Sequence, residues 1–299
     1  MTDRVATPSA APLPPGFERP GRSRGLVDVF GQRYLLRLIV RKELRVRYQA
    51  SFLGLAWSYV KPGVQFVVFF FVMGNFLGMR GMLPPFAVYL FSGIVIINLF
   101  SEILGNATRS VVANGALVNK IYLPRQMFPV SSVLVALVHF VPQLVVLLIG
   151  ALVAGWRPGP VELAAALLAV MIVLCLALGL GLAFGAINVA YRDIENIVDL
   201  ILMVAIWFSP VLYPIATVRD TFGADSVLMR IYENNPLTIA VELFHRAFWW
   251  PAADAAAREG AIVDHVMNRG LVALAVCAVL LVIGDRVFRK LSRNFAQEL

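Results

Sequence analysis

Six apolar runs constrain this chain more than anything else in it. They lie near Gly63–Met79, Phe86–Leu104, Val130–Ala154, Leu163–Val189, Ile197–Ala216 and Gly270–Phe288. A helix of about 20 apolar residues crosses the hydrocarbon core of a bilayer. Lipid offers no partner to an open backbone, so such runs fold as spanning helices. With 60% of its 299 residues hydrophobic and 15% charged, the chain has nothing left for a separate globular domain. The expectation is an all-α polytopic membrane protein with six transmembrane helices, occupying residues 26–299 as one domain. Residues 1–25 are rich in Pro, Ala and Arg with no apolar core, and read as a disordered cytoplasmic tail rather than a cleavable signal.

Charge sets the orientation. With the N-terminus inside, the inner segments hold 19 Lys and Arg residues and the outer segments seven. The asymmetry predicts a multi-pass protein with both termini on the cytoplasmic side. The formal net charge of +8 then reports orientation and contact with anionic lipid, and nucleic acid is not expected as a partner. Cys175 and Cys277 lie inside apolar runs and read as small packing residues.

The segment Arg41–Pro62, RKELRVRYQASFLGLAWSYVKP, runs straight into the first crossing. A helical pattern from Leu26 to about Tyr48 places Arg33, Arg37, Arg41 and Arg45 on one ridge, because residues four apart stack along a helix face. Such a helix suits the inner membrane surface. It either anchors its guanidiniums on lipid phosphates or docks a cytoplasmic protein, and the two uses are compatible. The link from Asn106 to Met127 is long for a connection between packed helices. Asn114-Gly115 and Leu123-Pro124 are its natural helix ends.

Gly179, Gly181 and Gly185 sit in the inner half of the fourth crossing, where small residues admit a neighbouring helix. Arg192 and Asp193 follow, placed to pair locally or to cap the next helix. In the fifth crossing Pro210 and Pro214 each remove a backbone donor. The carbonyls they free need protein or water nearby. Beyond it, Asn235 can cap a helix that has Pro236 at its first position, with Leu237, Val241, Phe244 and Phe248 on one face. That helix is expected in, or dipping into, the outer leaflet, either as a gate or as a passive cover.

Much chemistry is missing from the sequence. It holds no GxxxxGK[ST] loop, no Gly-x-Ser-x-Gly elbow and no zinc-like His or Cys pairing, so catalytic and metal-binding residues are expected to be none. Glu102, Asp199 and Asp285 are placed near inner helix ends, and His139 deeper, as a hydrogen-bonded packing residue. Proton-coupled carriers need a fuller set of intramembrane charges.

Four ordered motifs carry a resemblance: Arg41–Pro62 with its Leu53-Gly54-Leu55-Ala56-Trp57 core, Asn188–Ile194, Pro210–Pro214 and Asn235-Pro236-Leu237-Thr238. Together they resemble the membrane subunit of polysaccharide ABC exporters of type 2, which export O-antigen, teichoic acid or galactan chains on a polyprenyl diphosphate or other lipid carrier. The resemblance covers residues 30–299. It implies a homodimer paired with two copies of a separate ATPase that binds the ATP and Mg, with no cofactor in this chain. It implies ATPase docking through Arg41, Arg45, Asn114, Lys120 and Tyr122, and contact with the lipid diphosphate through Arg47, Arg192 and Asp193. A glycan channel would draw on Phe66, Phe69, Phe70, Trp207, Phe208 and Tyr213, although Phe69, Phe70 and Phe71 cannot all face one side. An outer gate would use Pro236, Val241, Phe244 and Phe248. An exporter of a drug or lipid is the nearest rival. A membrane enzyme acting on prenyl-phosphate glycans is the other, with Arg192, Asp193 and Glu195 as its only acidic–basic group.

Overall fold

A computed structural model describes residues 25–120, 123–223 and 225–298; the side chains of Phe30, Asn119, Lys120, Asn294, Ala296 and Gln297 fall outside that description. The expected tail over residues 1–25 lies outside it too, apart from Gly25. Every regular element among the described residues is helical.

The chain enters through α1 (Leu26–Gly31) and α2 (Arg33–Tyr48), which the sequence pattern joins and the structure breaks at Gln32. A short 3₁₀ turn, Gly54–Ala56, leads into α3 (Trp57–Phe69), which continues as a π-helical stretch over Phe70–Phe76. The first crossing is therefore Gly54–Phe76, displaced toward the N-terminus from the apolar run in the sequence. The one-turn helix α4 (Met79–Met82) precedes α5 (Phe86–Ala113). Helix α5 runs unbroken to Ala113, so Asn106–Ala113, expected in a loop, forms its last two turns. The predicted stop at Asn114 holds, with its backbone N–H on Val111 O. Then follow α6 (Gly115–Lys120), α7 (Met127–Val153) and α8 (Pro160–Ala190), the last started by Pro160 and by Glu162, whose Oε2 accepts from Gly159 N–H at 3.0 Å.

After α9 (Ile194–Ala205) the chain departs from expectation. The fifth crossing is not one long helix: α9 has 12 residues, and 206–214 fold back as turns. Five helices among the described residues are long and apolar enough to cross a membrane, and this segment is not one of them. Outer helices α10 (Ile215–Phe222), α11 (Val227–Asn234), α12 (Pro236–Phe248) and α13 (Ala255–Arg258) precede α14 (Val266–Leu291) and the terminal turn α15 (Phe295–Glu298).

Helices α5 and α8 form the centre; α12 packs on both, α7 on α5 and α14 on α8. Glycines set the distances. A Cβ on Gly284 of α14 would stand 2.1 Å from Gly179 O of α8, and one on Gly181 would meet Ala107 Cβ of α5 at 2.6 Å. The predicted small residues of α8 thus serve two neighbours on two sides. The helices of 26 to 31 residues are about 40 Å long or more, against a hydrocarbon core of about 30 Å, so their ends project beyond it. Helix α2 runs lengthwise against the first half of α7, seating Leu36 and Ile39 beside Met127, Phe128 and Val130. This is a helix held by protein along its apolar side, rather than one resting on lipid alone.

Candidate functional site: an inner docking face, a pinned crossing and a buried outer helix

The free face of α2 carries Arg37, Arg41 and Arg45, all exposed and four residues apart. The opposite face is tied down by polar contacts the sequence did not reveal. Lys42 Nζ donates to Asn114 Oδ1 at 2.5 Å, and Asn114 Nδ2 donates back to Ser110 O. Asn114 is buried, and it ties α2 to the last turn of α5 rather than facing outward. Lys120 ends α6, its side chain beyond description, and Tyr122 lies outside the described residues. Glu43 Oε1 sits 2.7 Å from Ser131 Oγ of α7. Burial pushes the Glu43 carboxyl above its ordinary range, with the Ser131 contact opposing.

At the end of α2, Arg47 and Tyr48 reach between α5 and α7. Arg47 Nη1 donates to Glu102 Oε1 at 2.5 Å, and the same oxygen lies 2.5 Å from His139 Nδ1. Tyr48 O–H is 2.7 Å from His139 Nε2. In neutral His139 these neighbours assign the tautomer: Nδ1–H donates to Glu102 and Nε2 accepts from Tyr48. His139 is thus a hydrogen-bonded packing residue, as expected. Glu102, expected near an inner end, joins it with its side chain still partly exposed, and two donors share one of its oxygens. Arg47, a candidate for the lipid diphosphate, has its guanidinium engaged by Glu102. Together α2, α5 and α7 line a cleft of about 280 Å³ that includes Lys42, Glu43, Arg47, Asn106, Arg109 and Ser132.

Arg192 and Asp193 are exposed at the α8–α9 corner. Asp193 occupies the cap position of α9, but its side chain makes no capping hydrogen bond, so that expectation fails. The charged contact at this corner comes from α5. Arg109 reaches Asp199 Oδ1 at 2.5 Å and Glu195 Oε2 at 3.5 Å, while Asn188 Nδ2 donates to Glu195 Oε1 at 2.8 Å.

The six aromatic candidates do not line one wall. Phe66 and Phe70 pack against α5, Phe66 on Phe91 and Phe70 on Phe86. Phe69 turns the other way and meets Trp207 edge-on at 6.4 Å. Phe71 is exposed, which satisfies the rule that three consecutive phenylalanines cannot share a side. Trp207 and Phe208 are exposed, and the Tyr213 hydroxyl donates to Trp207 O. Phe69 and Trp207 therefore stand together, with Phe208 exposed next in the chain, and Phe66 and Phe70 belong to another cluster.

Helix α12 begins as predicted, with Asn235 Oδ1 accepting from Leu237 N–H at 3.0 Å. Its environment differs from expectation. Eleven of the helix's 13 residues are buried in the bundle, Val241, Phe244 and Phe248 with Glu242 and His245 among them, rather than one apolar face alone. Trp156 Nε1 donates to Ala247 O, Arg246 pairs with Glu162 at 2.8 Å, and Glu242 Oε2 accepts from Val263 N–H. Pro236, at the mouth of the helix, is half-buried. The Tyr89 ring of α5 stacks on His245 at 3.8 Å.

Comparison with known proteins gives two findings. The pattern of the ABC-2 type transporter family matches residues 34–249. The chain is also similar to proteins named O-antigen export system permease protein RfbA. The one from Myxococcus xanthus is 29% identical over 273 residues, covering 91% of this chain and 98% of the relative. Two from Klebsiella pneumoniae are 25% and 26% identical, each covering 89% of this chain and 95% of the relative.

Proposed function

The chain belongs to the ABC-2 type transporter family, and from that membership we propose that it is the permease subunit of an exporter of O-antigen-type polysaccharide. It is a transport component, not an enzyme, and the family works with an ATPase subunit at a membrane. The observation that carries the polysaccharide reading is the similarity to O-antigen export permeases, which extends over 95–98% of their length. The absence of a P-loop from the sequence agrees with a separate motor.

In this reading two copies of the chain pair with two copies of the ATPase in the plasma membrane, both termini cytoplasmic. The exposed ridge Arg37–Arg41–Arg45 on α2, beside α6, receives the ATPase. A lipid-linked glycan, its carrier a polyprenyl diphosphate, enters on the inner side near Arg192. An arginine fork can give two hydrogen bonds to a phosphate. Ring faces at Phe69, Trp207 and Phe208 offer the polymer apolar contact without demanding one pattern of hydroxyls. Movement of the ATPase is transmitted through α2, whose polar ties to α5 and α7 make the three helices one body.

The test is reconstitution. The chain and its ATPase in proteoliposomes, given ATP and a lipid-linked glycan on the outer face of the vesicle, should carry the glycan into the lumen, where added glycosidase cannot reach it. The chain alone should turn over no nucleotide and move no glycan. Full activity on a drug or a plain phospholipid, with none on glycan, overturns the proposal.

A further inference from the structure

The fifth crossing is fastened to α5 by polar groups at both ends and by apolar packing alone between them, where a Cβ on Gly105 would meet Leu202 Cδ1 at 3.3 Å. In α9, Val198 and Ala205 are buried, while Leu200, Met203 and Val204 are exposed. Among the described residues, the side-chain polar contacts of α9 all lie at its inner end: Arg109 to Asp199 and Glu195, and Asn188 to Glu195. After Asp199 the helix reads LILMVA and has no polar group left to bond.

The outer end is of another kind. Ser209, Val211 and Leu212 are fully buried. The Tyr89 hydroxyl reaches the carbonyls of Pro210 at 2.9 Å and Tyr213 at 3.0 Å. Gly93, one turn further along α5, lets the turn approach so closely that a Cβ there would meet Val211 Cα at 3.1 Å and His245 Nε2 at 3.2 Å.

Both fastenings come from α5, 20 residues or about 30 Å apart. They differ in how easily they open. Tyr89 is buried and neutral, and its release would strand carbonyls in an apolar surround. Arg109, Asp199 and Glu195 have side chains 38%, 56% and 32% exposed, so water and salt can replace each contact.

We infer that Arg109 is the positioning residue of the fifth crossing: with Asp199 and Glu195 it forms a releasable inner latch, working against a fixed outer hinge held by Tyr89. When the latch opens, α9 swings at its inner end while the 206–214 turn stays on α5. An anionic group arriving at the inner face competes with Asp199 and Glu195 for the same guanidinium. This gives the proposed carrier diphosphate a means to open its own entrance, a consequence that rests on the function proposed above. The latch itself does not.

The experiment uses spin-label pairs on the full chain in lipid nanodiscs, with Cys175 and Cys277 replaced by alanine. One pair reports the inner end, at Ala113 and Asn196; the other reports the outer end, at Met82 and Phe208. All four positions are exposed. Arg109→Gln is expected to add a longer component to the inner distance and leave the outer distance unchanged. Arg109→Lys should retain most of the wild-type distribution, and Arg109→Glu combined with Asp199→Arg and Glu195→Gln, which removes the second carboxylate, should recover it. Tyr89→Phe should do the reverse of Arg109→Gln, broadening the outer pair alone. Addition of inorganic pyrophosphate to wild type should enlarge the long inner component, with an equal ionic strength of chloride as control.

An unchanged inner distance in Arg109→Gln, equal broadening at both ends, or failure of the charge swap to restore the inner distance overturns the latch. These distances need neither ATPase nor glycan, so a failed latch is distinguishable from a failed export assay.

Discussion

The Tyr89 hydroxyl lies 2.9 Å from the carbonyl oxygen of Pro210, and the side chain that makes this contact is fully buried. Prolines at 210 and 214 deny the preceding turn its usual backbone donors. A residue 121 positions earlier in the chain supplies the missing hydrogen, shared with Tyr213 O. Tyr89→Phe keeps the ring stacked on His245 and removes only that hydrogen. It should lower stability by about 1–3 kcal/mol, read as a lower thermal midpoint in detergent. Hydrogen exchange should quicken over 206–214 and stay unchanged in α8.

Arg41 and Arg45 are exposed on α2, away from the apolar seam that holds it to α7. The double change Arg41→Glu and Arg45→Glu should leave the thermal midpoint within the narrow range of surface substitutions, about 0.5 kcal/mol. Binding of the ATPase subunit should weaken by about tenfold or more, because like charges facing each other across an interface cost several kcal/mol. Co-purification and a binding titration read the two effects separately, and unaltered ATPase binding would remove α2 from the docking surface.

Glu43 allows a pH prediction. Its folded carboxyl titrates above the ordinary range because it is buried against α7. A carboxyl whose folded pKa exceeds its unfolded value favours folding when protonated: the contribution is complete below the unfolded value and is lost as pH rises through the folded one. The Ser131 hydroxyl lies 2.7 Å from both Glu43 Oε1 and Phe128 O, and it has only one hydrogen to give. A protonated Glu43 satisfies both contacts by donating to Ser131. Glu43→Gln, which carries a permanent donor, should therefore raise the thermal midpoint at about pH 7.5. The gain should shrink toward zero near about pH 4, where wild type is itself protonated.

The α8–α14 crossing has no room for a methyl group at Gly284, where a Cβ would stand 2.1 Å from a backbone oxygen. Gly284→Ala must push two helices apart and should cost about 1–3 kcal/mol or more. Gly63→Ala is the control, since a Cβ there meets nothing within 4 Å. A denaturant titration in mixed micelles should separate the two variants clearly, and equal midpoints would refute the close packing.

Much of the site was legible in residue types that have few alternatives. Asn235 followed by Pro236 announces a helix start because the asparagine oxygen and the missing proline N–H complement the open first turn. The arginines at steps of four mark a face whatever it faces. Burial of α12 was not legible. Its sequence alternates Glu242, His245 and Arg246 with apolar residues, which reads as a one-sided helix until Val263 N–H, Glu162 and the Tyr89 ring are brought to those polar groups from elsewhere in the chain. The partners of Glu102 were not legible either, because nothing local reveals that His139 and Arg47 converge on it.

The linear sequence determined what lipid and backbone chemistry impose locally: apolar runs long enough to span, the uneven share of Lys and Arg between alternate links, and the helix ends at Asn114 and Asn235. Each follows from a few neighbouring residues and a solvent. The tertiary structure alone decided which charges are free and which are engaged, and that the fifth crossing stops at Ala205 and hangs from α5 at Tyr89 and Arg109. Those outcomes depend on partners up to 124 residues distant, and no local pattern records which of many possible donors a packed helix will bring within 3 Å.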